Sequence, residues 1–246
     1  MKFDLGLVDE FRITGIPILR IYGWRPYCIS LGRNQNESDI DVERARRDGI
    51  DIVKRPTGGK AVLHAEELTY SVVMQTGGLS VRESYNRISA ALVSGLRKLG
   101  AELELSQSSA DFQKLFRDPR AIPCFSTSAV FEVEYKGRKL VGSAQHRFGD
   151  ILLQHGSILM GEFHKRIVDY LNVDESVREK TTTDLDSHTV TLGEILGVAA
   201  HREDMIAALK DGFSETFGAG FSDTSIPVRK NLEPNSVGKN LTEADG

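Results

Sequence analysis

The chain has 246 residues, 40% hydrophobic and 27% charged, with a formal net charge of −4. That length buries a sizeable core in one large domain or two small ones, and the composition is that of an ordinary globular protein. The weak negative charge advertises no nucleic-acid surface, no apolar run reaches membrane-spanning length, and the two cysteines, Cys28 and Cys124, lack metal-ligand spacing. The reading is therefore a cytoplasmic protein with free thiols, no metal site, no nucleic-acid partner and no membrane partner.

A short N-terminal helix is expected around Gly6-Leu7-Val8-Asp9-Glu10, with the two acids favouring its dipole. Ile18 to Trp24 and Cys28 to Leu31 read as strands joined by Arg25-Pro26-Tyr27, and Ser38 or Asp39 is the expected cap of a charged helix ending at Gly49. Asp51-Ile52-Val53 returns as a strand into a glycine loop, Leu68 to Met74 follows as another, and Ser80 with Glu83 predicts a capping box. Behind it Ile88, Ala91, Leu92, Leu96 and Leu99 recur at helical spacing up to Gly100. Leu103 and Leu105 mark a short strand, and residues 106–123 look irregular. Val130–Tyr135 and Lys139–Ala144 form a hairpin around Lys136-Gly137, and Ile151–Met160 is a further strand. Helices are expected near 163–172, 191–197 and 201–218, with a second capping box at Thr191 and Glu194. From about residue 219 the chain turns polar and reads as a loosely ordered tail. Hairpins without regular βαβ alternation predict an α+β fold on a mixed, largely antiparallel sheet with flanking helices, in a single domain over 1–246.

Four segments carry the chemistry. In Lys54-Arg55-Pro56-Thr57-Gly58-Gly59-Lys60-Ala61-Val62-Leu63-His64, adjacent glycines let a ligand lie against backbone N–H groups, and Arg55 and Lys60 bring positive charge beside a carboxylate, a phosphate or a developing oxyanion. The second segment is Ile122-Pro123-Cys124-Phe125-Ser126, where a thiolate would attack a thioester carbonyl once an ammonium lowers its pKa. Lys139, in Lys136-Gly137-Arg138-Lys139-Leu140-Val141-Gly142-Ser143-Ala144-Gln145, is the candidate ammonium. The fourth is Leu153-Gln154-His155-Gly156-Ser157-Ile158-Leu159. His64 and His155 suit either a general base or the ordering of loop backbone. Trp24 and Tyr22 suit core packing or the lining of a tunnel for a fatty chain, and Cys28, inside an apolar strand, reads as inert.

Together these segments resemble the lipoate–protein ligase and octanoyltransferase superfamily, which shares its fold with biotin–protein ligases. The Cys-Phe pair, the Gly-Arg-Lys-x-x-Gly-Ser-Ala-Gln segment and Gln-His-Gly-Ser are similar to those of LipM-type octanoyltransferases, over about Gly6 to Gly218. The resemblance implies catalytic Cys124, which holds the acyl group as a thioester, and Lys139, which lowers its pKa. It implies substrate-binding Arg55, Thr57, Gly58, Gly59, His64, Gly142, Ser143, Ala144, His155 and Gly156. It implies transfer of octanoyl from octanoyl-acyl carrier protein to a lysine of a lipoyl domain, or of the glycine-cleavage H protein, with no cofactor. Under the alternative, an ATP- and Mg-dependent lipoate–protein ligase, lipoyl-adenylate forms instead. A non-catalytic binder of lipoyl domains or acyl ligands is the third reading, and a biotin ligase the fourth.

Overall fold

Strand alternation sorts the chain into two sheets. The computed structural model describes residues 2–107 and 131–222. The large sheet contains β1 (Ile18–Tyr22), β5 (Glu67–Gln75), β9 (Ile151–Leu159), β8 (Arg138–Phe148), β7 (Phe131–Tyr135) and β6 (Glu104–Gln107), in that spatial order. Every neighbouring pair in it is antiparallel. The small sheet holds β2 (Cys28–Leu31) between β3 (Asp51–Lys54), parallel to it, and β4 (Val62–His64), antiparallel. The expected α+β architecture on a largely antiparallel sheet is thus observed, with β1 and β2, consecutive in sequence, in different sheets.

The pleat gives the large sheet two unlike faces. Leu68, Tyr70 and Val72 of β5, Leu152 and Ile158 of β9 and Val141 of β8 share a core with Ile88, Ala91, Leu92 and Leu96 of α3 (Val81–Arg97). The opposite face carries Glu67, Thr69 and Ser71 on β5, His155 and Ser157 on β9, and Gly142 and Ala144 on β8. At one end of this polar face, Leu7, Val8 and Phe11 of α1 (Lys2–Thr14) pack on Val73 and Leu153. Asp4 of the same helix accepts from Arg20 Nη1 and from Ser71 Oγ, both at 3.0 Å. At the other end the small sheet supplies the cover. The N-terminal helix is thus 13 residues long, more than the short element expected, because its apolar stripe has a sheet end to bury.

Both halves of the Ser80–Glu83 capping box are formed, at 3.2 and 2.8 Å. The helix α2 (Val42–Arg47) is capped instead by Asp41, whose Oδ1 accepts from Arg44 N at 2.9 Å, and Glu37–Asp39 forms a separate 3-10 turn. A 3-10 helix over Glu162–Tyr170 takes the place of the expected helix at 163–172. The sequence reading missed α4 (Glu175–His188), which buries only Thr181 and Leu185. Next come α5 (Leu192–Leu196) and α6 (Arg202–Phe217). Thr191 Oγ1 accepts from Glu194 N, but the Glu194 carboxylate turns to Arg138 Nη2 at 2.6 Å, so the second capping box is only half made. No described helix is long and apolar enough to cross a membrane.

Candidate active site

The glycine loop and the polar face of the large sheet meet at Thr57, whose Oγ1 lies 2.6 Å from His155 Nε2. Burial pushes the His155 pKa down to about 3, with Arg55 and His64 adding to the effect, so its ring is neutral and accepts or donates as its partners require. Next to His155, the β9 residue Ser157 pairs with Gly142 of β8 and places its hydroxyl 3.2 Å from His64 Nδ1. His64 is therefore brought to the same face, although it lies in the other sheet. Its ring stacks on Trp24 at 4.6 Å between centroids, and Trp24 Nε1 donates to Thr69 Oγ1 at 2.8 Å. Trp24 thus lines the site as well as packing.

Arg55 is turned inward. Its guanidinium donates to Ser30 O (2.8 Å), Ser30 Oγ (3.1 Å), Gly58 O (3.2 and 3.1 Å) and Lys60 O (2.6 Å). The side chain expected to hold substrate charge is buried and clamps its own loop. Gly59 has φ +92, a conformation suited to glycine, and a methyl at Gly58 would meet nothing within 4 Å among the described residues.

Strand β8 distributes its motif between the two faces. Gly142 and Ala144 lie on the polar face, opposite Ser157 and His155. Ser143 lies on the helix face, where its Oγ is 2.7 Å from Tyr70 OH, which also accepts from Gln154 Nε2 at 3.0 Å. Gly156 lies between Tyr70 and Ser143 in the ladder, and a Cβ there would come within 2.6 Å of Gly142 O and 2.7 Å of Ser143 Oγ and Tyr70 Cε1. Glycine at 156 is thus accounted for by packing under the Tyr70–Ser143 hydrogen bond.

Simple alternation would set Lys139 on the helix face with Val141 and Ser143. A bulge prevents it. Val133 pairs with Val141, but Glu134 pairs with Lys139, so Leu140 is the extra residue. Paired residues share a face, and Glu134 is on the opposite face from Val133. Lys139 is therefore rephased onto the face of Gly142, Ala144 and His155, and is 5% exposed. Its backbone carbonyl accepts from Val190 N at 3.0 Å. Cys124 lies outside the described residues.

Cys28 is buried in β2 and burial pushes its thiol up to about 12, in keeping with the inert role expected. Asp9 is exposed and pairs with Arg12 at 2.6 Å. Sequence reasoning missed Ser30, Glu67, Asp4 and Arg20. A signal for Glu67 was present: Glu67, Thr69 and Ser71 alternate with Leu68, Tyr70 and Val72, which marks one polar face.

A family model described as the lipoyl protein ligase A/B catalytic domain matches residues 1–214. The chain belongs to this family. Within the lipoyl ligase family, it is 39% identical over 209 residues to the octanoyltransferase LipM of Kyrpidia tusciae, with 82% of this chain and 76% of that protein covered. It is 34% identical over 204 residues to the octanoyltransferase LipM of Bacillus subtilis, with 80% and 73% covered. Among solved structures, a bipartite lipoate protein ligase studied with its E2 lipoyl domain, from Thermoplasma acidophilum, superposes with a TM-score of 0.74 at 22% identity, covering 90% of this chain and 79% of that one. A lipoate-protein ligase A bound with ATP gives 0.71 at 22% identity, covering 90% and 81%. These two likenesses establish the shared lipoyl ligase fold.

Proposed function

We propose that the protein is an octanoyltransferase of protein lipoylation, moving an octanoyl group from octanoyl-acyl carrier protein to a lysine of a lipoyl domain or of the glycine-cleavage H protein. The observation that carries this reading is the identity of 39% over most of the chain with a protein named octanoyltransferase LipM. Cys124 and Lys139 support it, since an acyl-enzyme route needs a thiol and a cation to ionise it. In the first step the Cys124 thiolate attacks the thioester carbonyl, the carbon–sulfur bond to the carrier breaks, and the carrier thiolate leaves and takes a proton. In the second the acceptor ε-amine attacks the new thioester, an amide forms, and the Cys124 thiol is regenerated. Lys139 and backbone N–H groups near Gly58 and Gly59 are the proposed stabilisers of the oxyanion, and one such donor is worth about 3–4 kcal/mol of barrier. The remaining proposed substrate contacts are Thr57, Gly142, Ala144 and His155, with Arg55, His64, Ser143 and Gly156 shaping the pocket from behind.

The test is intact-protein mass after mixing with octanoyl-acyl carrier protein and no acceptor. One octanoyl increment on Cys124, cleared by hydroxylamine and absent in Cys124→Ala, is expected without ATP or magnesium. A strict ATP requirement with no adduct would replace this reading with a lipoate–protein ligase.

A further inference from the structure

Ser30, His64 and Glu67 stand in line behind the glycine loop. Ser30 Oγ is 2.7 Å from His64 Nε2, and His64 Nδ1 is 2.8 Å from Glu67 Oε1. The spacing is that of a hydrolytic serine triad. The surroundings rule that use out: Ser30 is 0% exposed, and its Oγ already accepts from Arg55 Nη1.

The Arg55 guanidinium can only donate, so Ser30 Oγ accepts from it at one end of the row. Glu67 Oε1 accepts from Thr69 Oγ1, so it also accepts from His64 Nδ1–H. His64 Nε2 meets the Ser30 hydroxyl from the other side of the same ring. The chain of hydrogen bonds runs Arg55 to Ser30 to His64 to Glu67, with a guanidinium at one end and a carboxylate at the other. It joins a buried guanidinium to a buried carboxyl group through a hydroxyl and an imidazole. Its Arg55 end grips Gly58 O and Lys60 O. The Gly58–Gly59 peptide is trans, so the Gly59 N–H points away from the atom that holds Gly58 O.

We propose that Ser30, His64 and Glu67 are positioning residues which, through Arg55, fix the direction of the Gly58–Gly59 peptide and so aim the Gly59 N–H at the acyl carbonyl. The kinetic part of this inference rests on the octanoyl-transfer reading; the structural part does not. His64 acts on the reaction through the loop rather than as a base.

The experiment compares Ser30→Ala and His64→Ala with the intact protein. Without ligand, amide hydrogen exchange over residues 57–61 should rise roughly tenfold, the factor that one hydrogen bond to a charged group is worth, while amides of β5 and β9 change less than about twofold. With octanoyl-acyl carrier protein, kcat of Cys124 acylation should fall by about the same factor and KM for the donor should stay within about twofold. Unchanged exchange at 57–61, or an equal rise across β5 and β9, overturns the proposal. Should His64→Ala fail to fold, Ser30→Ala, which removes one oxygen, decides alone. Should the intact protein show no transfer, the exchange measurement decides alone.

Discussion

His155 and His164 are kept neutral in the fold. Burial pushes His155 down to about 3 and His164 to about 4, from an ordinary value of 6.5. As pH falls below 6.5, the unfolded chain takes up protons that the folded chain refuses, so stability is lost at about 1.4 kcal/mol per pH unit for each histidine until its folded value is reached. Urea melts between pH 7 and 4.5 should therefore be flatter for His155→Gln and for His164→Gln than for the intact protein; a steeper acid loss in both variants would contradict the assignment. Gly156→Ala should cost about 1–3 kcal/mol in the same assay, because the added methyl meets a backbone carbonyl and a buried hydroxyl pair. At this scale the sequence was partly legible. Arg55, His64 and His155 were identifiable as candidate site residues in two separate segments of the chain. The clamp that joins Arg55 to His64 was not, because it depends on Ser30 and Glu67, which come from other strands.

Among the elements, α3 and α6 show why glycine is informative only with its neighbours known. A Cβ on Gly212 would lie 2.3 Å from Gly95 N and 2.4 Å from Ala91 O, so the two helices cross backbone against backbone. Gly212→Ala should destabilise by about 1–3 kcal/mol even though alanine favours helix. Gly6→Ala in α1, where nothing lies within 4 Å, should instead stabilise by about 0.5–1 kcal/mol. Thermal melts of the two variants should move in opposite directions. The apolar spacing of α3 and its capping box were plain in the sequence. The helix Glu175–His188 was not, because a stretch with three consecutive threonines and almost no apolar stripe carries no periodic signal. Its caps for α2 were misplaced by two or three residues, since Ser38, Asp39 and Asp41 all have the chemistry of a cap and only the chain path chooses among them.

Over the whole molecule, α1 and the small sheet stand at opposite ends of the polar face and leave it between them. Leu7, Val8 and Phe11 each bury a side chain worth about 1.5–3 kcal/mol, a large part of the usual 5–15 kcal/mol of a domain. Removal of residues 1–14 should therefore lower the urea midpoint sharply, and it would uncouple Arg20 and Ser71 from Asp4. A truncated chain with an unchanged midpoint would show that the helix only decorates the sheet. The fold class was legible because hairpin turns and period-two alternation survive in a single sequence. The division into two sheets was not, since nothing local to Arg25-Pro26-Tyr27 says that the chain changes layer there.

The bulge at Leu140 has a consequence for transplantation. The side on which Lys139 projects is written jointly by β8 and by the Val133–Glu134 step of β7. Copied alone onto another scaffold with an unbroken partner strand, the segment Arg138–Phe148 would present the same letters with the ammonium on the wrong side. Copied as the whole hairpin Phe131–Phe148, it would keep its handed arrangement. The heritable unit of this site is a pair of strands, and a catalogue of single-strand motifs would miss it.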